Sequence, residues 1–276
     1  MKKILLAILL PIVLTSSLLA QSYWFGGMSR VPGGLEGGFG SFVIGGQSNS
    51  MESKLNISES VSGTTTSISK GEEVLGFSTF QLGLEAAYGW PVFELEGGLD
   101  LGFSDMSTDL KFNGTRLDSY IDSFFGLNLK LGGVLKYDFS LSDDLVLSPF
   151  LRSGLSFEYV TNEISLPTYN YYTGTYSYYS PSYLGESFGN TLFNYSIGTA
   201  LRWNGLVTSI AIGKYQIMSG DMDDLEELDP TYLRLTLGYQ FSDSLTFLLG
   251  YKSEWKEDST AEWTGWGLDG SFQYSY

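Results

Sequence analysis

The sequence has no cysteine and no histidine. Without thiols, an exported chain of this kind must draw its stability from something other than disulfides. Without imidazole, Ser-His catalysis and His-based lipid hydrolysis are excluded. Basic residues are scarce, 15 Lys and Arg against 31 Asp and Glu for a net charge of −16, which argues against nucleic acid as a partner. Gly-rich phosphate loops, basic stripes and Cys/His metal clusters are missing as well. Beyond residue 20 no segment reaches about eighteen consecutive apolar residues, so no helix long enough to span a membrane is expected.

Glycine (34), tyrosine (19) and phenylalanine (18) are plentiful. From Phe124 to Phe139 the chain alternates. Phe125, Leu127, Leu129, Leu131, Leu135, Tyr137 and Phe139 share one face, and Asn128, Lys130, Lys136 and Asp138 the other. Successive side chains of a strand point to opposite faces, so this period builds one apolar wall and one polar wall. A half-buried soluble strand stops after about five or six residues, whereas a tilted strand crossing a bilayer needs about nine to eleven. The pattern recurs and predicts an all-β fold, a closed antiparallel up-and-down transmembrane β-barrel. Its near-neutral mean hydropathy of +0.01 fits, because alternating faces average out.

Residues 1–20 read as a secretory signal peptide: Lys2 and Lys3, an apolar run from Ile4 to Leu14, then Leu18 and small Ala20 before the expected cut. Gln21 follows rather than Cys, which argues against a lipoprotein anchor. Cleavage leaves 13 basic and 31 acidic residues, or −18, with residues 21–276 forming the barrel.

Ten strands are expected, with eight or twelve as alternatives. The first, from Leu35 to Gly45, places Leu35, Phe39 and Val43 on one face. Polar loops are expected at 47–75, 104–120, 161–186 and 219–230, with a brief one near 257–262. Short turns fall at Pro91, at Ser140 to Asp144, at Asn204-Gly205 and at Ser242-Asp243-Ser244. Asn-Gly is a type I′ hairpin signal. Long and short connections alternate, as in barrels with short periplasmic turns and long external loops. Aromatic residues at strand ends, such as Tyr88, Trp90, Trp203 and Tyr239, fit a girdle at the headgroup level. Hydrocarbon tolerates no open sheet edge, so the first strand must pair with the last.

The final residues, Phe272-Gln273-Tyr274-Ser275-Tyr276, alternate aromatic and polar up to the carboxyl end. With the ten-strand pattern, this resembles the small outer-membrane β-barrels of diderm bacteria across the mature chain. The resemblance implies insertion by the barrel assembly machinery, residence in the outer membrane, and lipid and lipopolysaccharide as neighbours. The strand number also looks like that of the omptin proteases, but those depend on a catalytic histidine that is lacking here.

The opposite phase of each strand gives the lumen. Glu36, Glu85, Glu94, Glu96, Asp100 and Asp269 are expected on one wall. Lys130, Lys136, Arg152, Arg202, Arg234 and Lys252 are expected largely to face them, with Asp138, Glu158 and Glu254 as exceptions. Inward glycines leave room for these long side chains. Opposed charges of this kind build either a hydrogen-bonded plug or a narrow polar path, and ten strands enclose little space.

Two loop clusters are candidate interaction sites. Asp221, Asp223 and Asp224 belong to an acidic run without calcium-loop spacing. It reads as a solvated loop, one that also suits divalent cations shared with lipopolysaccharide phosphates. Tyr171, Tyr172, Tyr176, Tyr178 and Tyr179 supply rigid contact area, or simply β-propensity for a protruding hairpin. The sequence therefore predicts a non-catalytic barrel, without cofactor, acting structurally or through its external loops. A narrow channel for ions or small polar solutes, and a secreted soluble β-sandwich, are the alternatives.

Overall fold

Unpaired backbone groups are costly in apolar surroundings, so alternating segments of this length must find partners on both edges. The computed structural model describes residues 28–33, 36–61, 64–112, 115–162, 166–170, 175–179, 188–220, 230–257 and 261–276. Its strands are β1 (Gly37–Val61), β2 (Thr64–Gly89), β3 (Phe93–Phe112), β4 (Thr115–Lys136), β5 (Phe139–Ser142), β6 (Leu145–Asn162) and β7 (Leu166–Asn170). They continue with β8 (Thr175–Tyr179), β9 (Phe188–Trp203), β10 (Leu206–Gly220), β11 (Thr231–Ser242), β12 (Leu245–Glu257) and β13 (Ala261–Ser275).

Ten of these, β1 to β4, β6 and β9 to β13, form one antiparallel wall in chain order. β1 closes on β13 from Phe39↔Ser275 to Ser53↔Ala261, leaving no open seam in that span. The expected closed barrel of ten strands is therefore present, and a sandwich of two stacked sheets is not. β5 continues the line of β4 along β6 after a break at Tyr137-Asp138, opposite Pro149. Proline has no N–H to donate, which accounts for the interrupted ladder.

One rim carries the short turns. Trp90 N donates to Phe93 O at 2.7 Å, and Asn204 and Gly205 have φ of 48° and 83°, as the Asn-Gly signal predicts. At this rim Tyr276 N donates to Gly38 O at 3.0 Å. The opposite rim carries long hairpins.

Here the sequence expectation needs correction. Residues 47–75 and 104–120 are largely strand, not loop: β1 pairs with β2 as far as Val61↔Thr64, and β3 with β4 as far as Phe112↔Thr115. Both segments carry a sparse apolar phase, Met51, Leu55, Ile57 and Val61 in one and Met106, Leu110 and Phe112 in the other, diluted by Ser, Thr and charged residues that read as loop. Within 161–186, β7 and β8 form a separate hairpin, Tyr169 opposite Tyr176. The signal segment and the acidic run at 221–229 lie outside the described residues.

The outer face is apolar. Leu84, Ile197 and Leu237 are 61 %, 62 % and 56 % exposed and belong to a belt that runs round the wall. Aromatic rings gather beside the short turns: Tyr88 lies 4.7 Å from Trp90, Tyr137 4.6 Å from Phe139, and Tyr239 5.4 Å from Phe241. Phe103 and Phe125 pair 5.3 Å apart towards the hairpin rim.

β1 also corrects the expected phase. Phe42 and Ile44 face outward, while Phe39 and Val43 are buried inside; Leu35 is outside the described residues. The segment is rich in glycine and apolar in both phases, so its period does not choose a face.

Candidate functional site

The inner wall is built by the other phase of the same strands. Glu85, Glu94, Glu96, Asp100, Lys130, Lys136, Arg152, Arg234 and Lys252 are buried there, with Arg202 and Asp269 half-buried. Glu36 is the exception: it precedes β1 and is exposed, so it is not a lumen charge. It belongs to the connection below β1, where no strand fixes its direction.

The charges pair along the wall more than across the bore. Lys130 Nζ lies 3.1 Å from Glu85 Oε1 and 2.8 Å from Asp100 Oδ2. Lys136 Nζ is 3.0 Å from Glu94 Oε1, and Arg152 Nε 2.9 Å from Glu96 Oε1. Arg234 Nη2 donates to both oxygens of Asp269 at 2.7 Å, and Lys252 Nζ sits 2.6 Å from Glu254 Oε1.

Glycine makes this possible where an ion pair must skip a strand. Gly98 stands between Glu85 and Lys130 in register, and a Cβ there would meet Glu85 Cγ and Lys130 Cε, both at 3.2 Å. At Gly250 a Cβ would come within 2.6 Å of Arg234 Nη2 and of Asp269. Real Cβ contacts are not so short, so a side chain at Gly250 would force the pair apart.

The axis is occupied by a segment that the alternation argument passes over. Residues 28–33, from Met28 to Gly33, run inside the barrel at its short-turn end. Arg30 pairs with Glu94 and its guanidinium lies 4.1 Å from the centre of the Phe39 ring. Ser29 donates twice to Glu85, from its amide at 3.0 Å and its hydroxyl at 2.6 Å. Gly33 N donates to Glu94 Oε1 at 3.1 Å. Gly33 has φ of +89°, and a Cβ there would clash with Ser148.

The wall holds the segment from the other side. Arg152 donates to Met28 O at 3.2 Å and to Arg30 O at 2.8 Å, and Arg202 donates to Val31 O at 3.0 Å. Val31 completes a dry cluster with Val134, Phe150, Ala200, Val207, Ala211 and Leu248. Two of the bases expected to face the acid wall, Arg152 and Arg202, therefore grip a peptide lying inside the barrel.

The described spaces beside the segment are small. A void of about 20 Å³ lies between Ser29, Gln47, Glu85, Lys130, Arg234 and Asp269, room for about one water. Another, of about 10 Å³, adjoins Met28, Arg30 and Phe39. Among the described residues no three His, Cys, Asp or Glu side chains gather as a metal site.

Ser29, Arg30, Val31 and Gly33 are the functional residues that the sequence reading missed. A signal was available. Arg30 is the one charged residue between positions 21 and 35, and strands two and three supply more carboxylates than their own bases can neutralise. Of the loop candidates, Tyr176, Tyr178 and Tyr179 lie on β8, while Tyr171, Tyr172, Asp221, Asp223 and Asp224 lie outside the described residues.

No protein-family model and no curated protein matches the sequence. Solved structures with a similar fold include the β domain of the Bordetella autotransporter Brka, at 15% identity and TM-score 0.45, covering 87% of this chain and 99% of that one. The outer membrane protease OmpT from Escherichia coli is 10% identical with TM-score 0.47, covering 87% and 96%. The transport unit of the autotransporter AIDA-I from Escherichia coli is 10% identical with TM-score 0.46, covering 95% and 97%. The likeness is one of fold.

Proposed function

We propose that the protein is a closed, non-catalytic barrel of the bacterial outer membrane, serving a structural or surface-interaction role through its long hairpins. The observation that carries this reading is the inner segment. A peptide anchored to Glu85, Glu94, Arg152 and Arg202, with Val31 in a dry cluster, leaves a void of water size beside it.

The apolar belt supports residence among lipid tails, with aromatic girdles at the headgroups. In that setting the short turns face the periplasm and the hairpins face outward. Lipid and lipopolysaccharide would then surround the belt, and the barrel assembly machinery would insert the chain. The hairpins rise as paired strands, with Tyr176, Tyr178 and Tyr179 on one of them, which suits contact with a surface partner.

Planar-bilayer recording on the purified chain tests the reading. The plugged barrel gives no steady single-channel conductance, and removal of residues 28–33 produces one. Steady conductance in the intact chain, abolished by charge reversal at Arg152 or Arg234, would instead assign it as a narrow channel for ions or small polar solutes.

A further inference from the structure

One inner-wall carboxylate has no partner among the described residues. Glu158, on β6, is 3 % exposed, neither of its oxygens accepts a hydrogen bond, and no Lys or Arg among the described residues lies within ion-pair distance. Lys252, whose field reaches it, is held by Glu254 at 2.6 Å. Directly opposite Glu158 on β4 stands Asn128, 0 % exposed, with neither its amide oxygen nor its amide nitrogen partnered. Asn190 on β9 is opposite Glu158 on the other side.

These residues form a cross-strand row on the inner face, toward the hairpin end, and none of residues 28–33 hydrogen-bonds to the side chain of Asn128 or Glu158. Directly opposed residues in an antiparallel pair have Cβ atoms about 4.5–5.5 Å apart, so a carboxylate and an amide oxygen there can share one small ion. A buried carboxylate without counter-charge is unstable, and a cation removes that penalty. All-oxygen donors select hard cations. Since no three carboxylates gather among the described residues, the single unbalanced charge of Glu158 favours a monovalent ion over a divalent one.

We propose that Asn128 and Glu158 bind a sodium-sized monovalent cation in the hairpin half of the lumen. Glu158 supplies the charge and Asn128 Oδ1 a neutral ligand. The site is independent of whatever the hairpins contact outside.

The full chain in detergent micelles, melted in sodium chloride and in N-methylglucamine chloride at equal ionic strength, provides the test. Sodium raises the wild-type midpoint by about 3 °C. Glu158→Gln keeps the shape without the charge and melts alike in both salts. Asn128→Ala retains the charge and shows a reduced sodium shift, and it carries the comparison if the first variant does not fold. Equal wild-type midpoints in the two salts, the result if Glu158 holds a proton instead, overturn the proposal. So does a full sodium shift that survives in both variants.

Discussion

The two halves of the lumen are built from the same residue types and solve the burial of charge differently. At the short-turn end, Glu94 meets Arg30, Lys136 and the Gly33 amide, and Arg152 meets Glu96 and two backbone carbonyls. Towards the hairpin end, Asn128 and Glu158 face each other with no hydrogen-bonding partner at all. The described residues of the inner segment, 28–33, bring backbone and an extra cation to the short-turn half. Wall residues neutralise much of the interior among themselves, as Lys130, Arg234 and Lys252 do, and the segment on the axis adds partners for Glu85, Glu94, Arg152 and Arg202.

The sharpest way to break this comparison is Glu94→Ala. It strands Arg30 as a buried cation and leaves Lys136 only the longer contact to Asp138 at 3.7 Å, and it is expected to cost about 3–5 kcal/mol in urea unfolding from micelles or vesicles. Ser29→Ala removes a hydroxyl donor to an ionised carboxylate and should cost about 1.5–3 kcal/mol in the same assay. Glu158→Ala in sodium-free buffer should change stability by less than about 1 kcal/mol, because no partner is orphaned. A Glu158→Ala loss as large as that of Glu94→Ala would mean that the two halves are not different in kind.

Much of the wall was legible because its physics is local. From Phe125 to Tyr137 the alternation assigns every side chain to lipid or lumen, and eleven of the twelve expected lumen charges face inward. Glu36 failed because it lies outside a strand. Phe39 and Val43 failed because β1 is apolar in both phases, and only the closure of β1 on β13 decides between them. The hairpin extensions were harder to read for another reason: the apolar phase Met51, Leu55, Ile57 and Val61 is sparse among Ser, Thr and charged residues, which reads as loop.

The candidate site was less readable. An extended segment such as Met28 to Gly33 has no repeat, and its place depends on tertiary contacts with Glu85, Glu94 and Arg152, which are far away in sequence. The unpartnered row of Asn128 and Glu158 was visible only as one acid left among bases.

The account rests on neighbouring residues of β4 facing opposite solvents. Since the chain has no cysteine, a single fluorophore can be attached at Leu129→Cys or at Asn128→Cys and challenged with bromine-labelled lipid tails. Strong quenching at position 129 with little at 128 is the expected result. Equal quenching at both positions, or stronger quenching at 128, would contradict the account.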